Sequence, residues 1–385
     1  MINEMTRLER PIRWAMIGGG QIGYIHRCAA QRDNNFKLIA GAFDINPERG
    51  LEFGTNIGVD PERCYPDYKT LFAEEAKRKD GIEAVSIATP NNTHYEISKA
   101  ALKAGLHVVC EKPLCFCNEE AEELIRLAEE KNRIFGVTYG YSGHQLIEQA
   151  REMVRRGDLG EIRIINMQFS HGGCSVAVEN SNPAAKWRMD PKLAGPSYVL
   201  GDVGTHALFM GETIVPDLEI DSLLCTRQSF VEGRQLEDNA NVLIRYKCGA
   251  VGNLWASGVN CGSVHGFVVR VIGEKASLEW WDERPNQLKY EVEGEAPRVL
   301  ERGAPYLYSS ALDEDRIGGG HPEGLFESWA NLYTRFATAM DAVNRGDEEF
   351  LKGYWYPSVL DGAQGVKFVN ACVESADAGA VWVKY

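Results

Sequence analysis

The stretch Ile12-Arg13-Trp14-Ala15-Met16-Ile17-Gly18-Gly19-Gly20-Gln21-Ile22-Gly23 decides the fold class. An apolar run of strand length passes directly into Gly18, Gly20 and Gly23, which complete a G-x-G-x-x-G pattern. At a strand-to-helix turn the first glycine permits the tight bend. The second lets backbone amides approach a pyrophosphate, and the third lets helix and strand pack closely. A helix opening at Gln21 and Ile22 then points its positive end at the anion. With 39 glycines in 385 residues the pattern alone could arise by chance, so its surroundings carry the weight. A second apolar run, 38–43, ends in Asp44, 21 positions after Gly23. A carboxylate there accepts from both ribose hydroxyls of NAD and repels a 2′-phosphate, although Asp44 could also serve only to cap the helix after Asn46. Arg49 nearby could receive that phosphate, so NADP stays open as the less favoured cofactor.

Outward from this turn, β-rich runs at Ile12–Ile17, 37–43, 84–88, His107–Cys110 and 134–138 alternate with helical patterns at 21–32, 47–57, 67–78, 93–104 and 118–131. Asp67, Thr93 and Asn118 stand as N-caps. The alternation predicts an α/β fold whose N-terminal domain, 1–140, is a Rossmann-type doubly wound parallel sheet. After Tyr141 the rhythm changes. One amphipathic helix over 143–156 ends at Gly157, and strands follow at Ile162–Ser170, 221–228, 241–246, 251–256, 266–272 and 277–281. This predicts a C-terminal α/β domain, 141–385, with a large, mostly antiparallel sheet. Late helices at 322–344 and 357–376 are expected to cover one face of it. The stretch 282–320, with Pro285, Pro297, Pro305 and Gly318-Gly319-Gly320, reads as irregular.

A net charge of −14 disfavours nucleic acid and anionic membrane as partners, since phosphate attracts basic surfaces. No apolar run approaches the roughly 20 residues of a spanning helix, and the first residues carry no signal-like core. The expectation is a cytoplasmic protein acting on a small molecule and assembling as a homo-oligomer. The ten cysteines contain no C-x-x-C pair, and the eight histidines show no metal-ligand spacing. The cysteines therefore read as reduced, buried thiols, and no metal is required.

Two clusters carry chemistry. Glu111-Lys112-Pro113 follows the His107–Cys110 run, which places Lys112 at the carboxyl edge of a parallel sheet, where ligands of such sheets bind. A lysine there can donate to, or take a proton from, a substrate hydroxyl, or it can simply pair with Glu111. In Gly201-Asp202-Val203-Gly204-Thr205-His206 the acid and the imidazole are four apart and share a helix face. Asp202 can orient His206, which then accepts an alcohol proton. Equally, Asp202 can be an N-cap and His206 a packed core histidine. Trp187-Arg188 is suited to a sugar ring and its hydroxyls, or to a solvated loop. Tyr141 and His321 are weaker candidates for the same pocket.

Taken in order, Gly18–Gly23, Ala88-Thr89-Pro90-Asn91-Asn92-Thr93-His94, Glu111-Lys112-Pro113, Gly157-Asp158-Leu159-Gly160 and the Asp202-to-His206 helix resemble the Gfo/Idh/MocA oxidoreductases nearly end to end. The resemblance implies a cis Lys112-Pro113 peptide and Lys112, Asp202 and His206 as the catalytic group. It also implies that Thr89, Asn91, His94, Glu111 and Lys112 join Gly18, Gly20, Gln21, Ile22, Gly23 and Asp44 around the cofactor. Tyr141, Arg188 and His321 would face substrate with Lys112, Asp202 and His206. The implied reaction is NAD-dependent oxidation of a secondary ring hydroxyl of a sugar, of a glycoside such as C3 of a glucoside, or of inositol. Three other readings stay open: an NAD-retaining glycosidase of the same family working by oxidation and elimination, a non-enzymatic NAD-binding sensor, and an imine or tetrapyrrole reductase.

Overall fold

The computed structural model describes residues 8–385. Contacts divide the chain into two units. One holds the described residues up to Gly140 together with Phe326–Ala363, and the other holds Tyr141–Leu325 with Gln364–Tyr385.

The first unit is built on five parallel strands, β1 (Ile12–Ile17), β2 (Phe36–Ala42), β3 (Ala84–Ile87), β4 (His107–Cys110) and β5 (Phe135–Val137), in the order β2-β1-β3-β4-β5. Every residue of β3, β4 and β5 is buried, which is why these strands read as unbroken apolar runs rather than alternating ones. Helices α1 (Gln21–Arg32), α2 (Pro47–Asn56), α3 (Tyr68–Glu75), α4 (His94–Lys103) and α5 (Asn118–Glu130) supply the crossovers. In α5 the buried set Ala121, Leu124, Leu127 and Ala128 has the spacing of one apolar stripe. Asp67 caps α3 as expected, accepting from the amides of Lys69 and Thr70 at 2.8 and 2.9 Å. The other two expected caps differ. The Thr93 hydroxyl turns back to the Pro90 carbonyl, and Asn118 is the first helical residue, with Cys117 before it. Strand order reverses between β1 and β3, so the carboxyl ends of these two strands frame a ligand crevice.

The helix Leu325–Arg345 belongs to this unit, not to the antiparallel sheet that the sequence pattern suggested. Phe336 is fully buried, and a Cβ on Gly136 of β5 would lie 2.5 Å from its ring. The Val137 amide donates to the Pro357 carbonyl at 2.9 Å, and the Ser328 hydroxyl to the Gly140 carbonyl at 2.5 Å. The chain therefore returns to the parallel sheet after leaving it at 140. A helix buried nearly all round advertises burial but not its partner.

The second unit carries a nine-stranded sheet made of β6 (Ile162–Ser170), β7 (Ile220–Gln228), β8 (Asn239–Tyr246), β9 (Val251–Ser257), β10 (Phe267–Gly273), β11 (Ala276–Trp281), β12 (Gln287–Val292), β13 (Arg298–Glu301) and β14 (Val383–Lys384). The order is β13-β12-β11-β10-β6-β9-β8-β7-β14, and every neighbouring pair is antiparallel except β6 with β9. Burial alternates along β8 and β10, the mark of a sheet with one covered face. The helix Thr205–Ile214 packs on that face, where a Cβ on Gly211 would meet the Met167 sulfur at 2.6 Å. The expectation of an irregular 282–320 is corrected, since β12 and β13 extend the sheet there. Their charged residues mask the pattern, because in β12 only Leu288 is fully buried. No helix among the described residues is long and apolar enough to cross a membrane.

Replacing Phe336 by Ala should lower unfolding stability by about 3–5 kcal/mol, the usual cost of emptying an aromatic core site. Denaturant unfolding followed by NAD affinity checks this. A change below about 1 kcal/mol would contradict the assignment of this helix to the core of the nucleotide unit.

Candidate active site

Each glycine of the β1-to-α1 turn meets a distinct constraint. Gly18 sits at φ +97°, and a Cβ there would lie 2.3 Å from the Ala88 carbonyl oxygen at the end of β3. A Cβ on Gly23 would lie 2.2 Å from the Met16 methyl. At Gly20 nothing lies within 4 Å, and as N-cap of α1 it offers no side-chain acceptor to the first-turn amides. Those amides, with Gln21 exposed and Ile22 half-buried, form the open cradle that a pyrophosphate needs. Asp44 follows β2 and accepts from the Arg49 guanidinium and the Asn46 amide, both at 2.8 Å. These contacts, Arg49 first, hold the carboxyl below its usual range, so it is an anion. Arg49 is correspondingly committed to Asp44. The set fits an adenine dinucleotide.

After β3, the Thr89 and Thr93 hydroxyls are 2.6 Å apart and Asn91 is buried. His94 is fully buried, with Nδ1 2.8 Å from the Pro113 carbonyl and Nε2 2.9 Å from the Thr89 carbonyl. Burial pushes its pKa down. The ring is wedged between a carbonyl of the loop after β3 and one of the loop after β4, and its single N–H donates to one of the two, which makes His94 a brace for the crevice.

Lys112 is half-buried just beyond β4, and the Lys112–Pro113 peptide is cis, as the resemblance implied. Glu111 turns inward. Its Oε1 accepts from the Thr138 hydroxyl at 2.5 Å and lies 3.0 Å from His26 Nε2. His26 Nδ1 lies 2.5 Å from the Tyr333 hydroxyl, which lies 2.8 Å from the Ser86 hydroxyl, which accepts from Trp14 Nε1 at 2.9 Å. The two ends of this buried chain are fixed: indole nitrogen only donates and carboxylate only accepts, so Trp14 donates to Ser86 and the His26 Nε2 that faces Glu111 carries a proton. Burial pushes the Glu111 carboxyl up, but the His26 contact and the Lys112 charge outweigh it, and the group stays below its usual range. Lys112 therefore stands next to a fixed buried anion.

In the second unit, Ser197 rather than Asp202 opens the catalytic-candidate helix. Its hydroxyl accepts from the Leu200 amide at 3.1 Å and donates to Glu237. Asp202 lies inside a π-helical turn, Leu200–Gly204, that runs into Thr205–Ile214, so the N-cap reading of Asp202 falls. Such turns concentrate at functional sites. Asp202 Oδ2 is 3.3 Å from Arg188 Nε, and the Arg188 guanidinium lies over the Trp187 ring at 4.6 Å. The His206 ring meets the Tyr141 ring edge-on at 5.0 Å. Tyr141, Arg188, Asp202 and His206 are thus held in one neighbourhood. His321 is not drawn in with them. It is exposed on a turn whose backbone carbonyl accepts from Arg302.

Three residues escaped the sequence reading. His265 Nε2 lies 3.1 Å from the Tyr141 hydroxyl, and His265 Nδ1 lies 3.0 Å from Asp282 Oδ2. His171 feels the Asp202, His265 and Arg188 charges, though burial is what chiefly pushes its pKa down. Strand direction held the clue. His171 follows the end of β6, His265 precedes the start of β10 and Asp282 follows the end of β11, and antiparallel register brings these three ends to one sheet edge.

The family models match both halves: residues 12–139 fit "Oxidoreductase family, NAD-binding Rossmann fold", and residues 151–385 fit "Oxidoreductase family, C-terminal alpha/beta domain" of the Gfo/Idh/MocA type. The chain belongs to the Gfo/Idh/MocA oxidoreductase family. Among Gfo/Idh/MocA structures, an inositol dehydrogenase homolog from Azotobacter vinelandii complexed with NAD+ is 62% identical, with a TM-score of 0.98 and 100% of each chain covered. The corresponding complex with NADH and myo-inositol is 61% identical, again over 100% of each chain, with a TM-score of 0.96. An uncharacterized oxidoreductase, YfiI of Bacillus subtilis, is 54% identical over 100% of both chains. More distant is the levoglucosan dehydrogenase of Pseudarthrobacter phenanthrenivorans, 27% identical over 96% of each.

Two consequences for this Gfo/Idh/MocA chain can be measured. Gly18→Ala should destabilise by more than about 1 kcal/mol, given its positive φ and the clash with Ala88, and should weaken NAD binding in a fluorescence titration. The Glu111 carboxyl is depressed in the folded state, so its stabilisation is complete above the ordinary carboxyl pKa of about 4.3 and is lost as pH falls through the folded value. Glu111→Gln should therefore cost roughly 1.5–3 kcal/mol near neutrality, a deficit that shrinks below about pH 4 in thermal unfolding.

Proposed function

We propose that the protein is an NAD-dependent dehydrogenase that oxidises a secondary ring hydroxyl of a cyclitol or sugar to a ketone, with myo-inositol the first substrate to try. The observation that carries this reading is the pairing of Arg188 with Asp202 on the helix that also presents His206. That set can grip vicinal hydroxyls and accept a proton. Bound NAD supplies the hydride acceptor. The alcohol loses its C–H as hydride and its O–H as a proton, giving ketone, NADH and one released proton. In this reading His206, oriented by Asp202, takes the hydroxyl proton, while Lys112 stabilises the developing alkoxide. Support for the substrate class comes from the myo-inositol bound to the Azotobacter vinelandii relative. The open face of the nine-stranded sheet, where Leu243 and Val251 stay exposed, is read as the surface on which copies of the chain pair. Light scattering of a dilution series tests this.

The deciding experiment follows NADH absorbance and product mass with inositols, hexoses and glucosides. A two-hydrogen loss from a cyclitol or sugar is expected. Aglycone release without NADH would replace this reading with an NAD-retaining glycosidase, and NAD binding without any turnover would favour a sensor. Lys112→Ala and His206→Ala should each lower kcat by about 100- to 10,000-fold while NAD affinity holds. Asp44→Ala should shift the ratio of kcat/KM with NAD to that with NADP toward NADP by about tenfold or more, through loss of ribose contacts and release of Arg49.

A further inference from the structure

The Gly157-Asp158-Leu159-Gly160 turn enters β6, whereas His171 leaves the far end of that strand, and nine residues of strand put roughly 30 Å between the two. Asp158 lines a cleft of about 510 Å³, walled by the helix Gln145–Arg155 and by β12 and β13. That volume is ordinary for a small-molecule site. Three tyrosines line the cleft, each fixed by its hydroxyl. Tyr308 donates to Asp158 Oδ2 at 2.7 Å, and this contact, with burial, pushes the phenol up to about 12, so it stays a donor. Tyr290 donates to the Asp158 carbonyl at 3.4 Å. The Tyr306 oxygen accepts from the Glu301 amide at 2.9 Å, which anchors a ring that is 57% exposed and that no other ring or cation covers among the described residues. Gln149 supplies a polar wall. It is 4% exposed, its Oε1 accepts from the Tyr308 amide at 2.8 Å, and its Nε2 has no partner among the described residues. Buried donors are ordinarily satisfied, so an amide held at a cleft wall by its oxygen, with its nitrogen unspent, is built to meet a ligand.

Charge narrows the ligand. The cation lining the cleft, Arg298, pairs with Glu295 at 3.0 Å and lies over the Tyr290 ring at 5.0 Å. Arg156, paired with Glu152 at 2.7 Å, lies over the Tyr308 ring at 4.3 Å. A cationic ligand therefore finds two rings already holding guanidinium groups, and an anion meets the Asp158 carboxylate with no spare cation to offset it. We propose that this cleft is a second ligand site, separate from the candidate active site, for a neutral polyhydroxylated ring such as a hexose unit or a cyclitol. The ring lies against Tyr306, one hydroxyl donates to Asp158 Oδ1, and a neighbouring hydroxyl accepts from Gln149 Nε2. An aromatic platform flanked by a carboxylate and an amide selects a molecule that carries apolar C–H faces and aligned hydroxyls on one frame. The chemistry of the cleft, not the dehydrogenase reading, chooses this ligand, so either can fail alone.

Fluorotyrosine incorporated into the full chain reports on the cleft directly, with its three signals assigned through Tyr290→Phe, Tyr306→Phe and Tyr308→Phe. Titration with myo-inositol and with methyl β-glucoside should move the Tyr306 signal saturably in the millimolar range, and equally in His206→Ala, whose altered residue belongs to the other site. Gln149→Glu keeps an acceptor for the Tyr308 amide but removes the donor, and should weaken binding by about tenfold, the worth of one hydrogen bond. Tyr306→Ala alters an exposed residue and so spares the fold. Followed on the Tyr308 signal, it should weaken binding at least as much. No saturable shift with either ring, or equal affinities in the wild type and both variants, overturns the proposal. A response to choline or to inorganic phosphate while the neutral rings stay silent overturns it as well, by assigning the cleft to a cation or an anion. Turnover of a cyclitol with no shift of these signals removes the second site and leaves the dehydrogenase reading standing.

Discussion

A carboxylate that stays charged inside a protein core demands donors, and the nucleotide-binding unit is organised around meeting that demand at Glu111. Desolvating an unpaired carboxylate costs several kcal/mol, so the surrounding elements must arrive with their donors correctly aimed. α1 brings His26, β5 leads into Thr138, the helix Leu325–Arg345 brings Tyr333, and β3 and β1 extend the chain of donors through Ser86 and Trp14. One charge thus ties five elements of the parallel sheet and its covering helices to the residue before Lys112. The glycine turn at Gly18 and the His94 clip sit in the same frame, because Gly18 is closed in by Ala88 after β3 and His94 lies between the loops after β3 and β4. The His26 contact also gives Lys112 a neighbour whose charge does not fluctuate near neutral pH.

The second unit solves a different problem. It must hold the buried His206 imidazole and the half-buried Asp202 carboxylate on one helix without spending Asp202 on that helix's own first-turn amides. The π-helical turn at Leu200–Gly204 does this by taking the N-cap duty away from Asp202 and giving it to Ser197. Asp202 is thereby available to Arg188, and His206 settles against Tyr141. The aromatic group around Tyr141 adds rigidity where polar side chains alone would leave freedom.

Legibility in the sequence follows the range of the forces involved. Gly18 and Gly23 are readable because their tasks are local, set by a positive φ and a close helix-strand contact. Asp67 was readable as a cap for the same reason. Thr93 and Asn118 were not, since a cap depends on where neighbouring carbonyls and amides happen to point. β12 and β13 hid behind charged residues because an edge strand buries little. The destination of Leu325–Arg345 was invisible, as burial on all sides says nothing about which sheet does the burying. Glu111 was found by its motif, but its inward orientation depends on Tyr333, more than two hundred residues away. His171, His265 and Asp282 carry no motif at all and are united only by strand register.

The return of Phe326–Ala363 to the parallel sheet also governs how the chain is made. A ribosome releases the five strands of the nucleotide unit early, yet Phe336 and Tyr333, which close its core and complete the donor chain to Glu111, emerge only after the whole nine-stranded sheet apart from its last short strand. Until then the apolar face of β5 and the Glu111 carboxylate lack their final cover. Multidomain chains commonly fold their N-terminal domain first during synthesis. Here the first unit cannot complete its core until residues that follow most of the second unit's sheet have emerged.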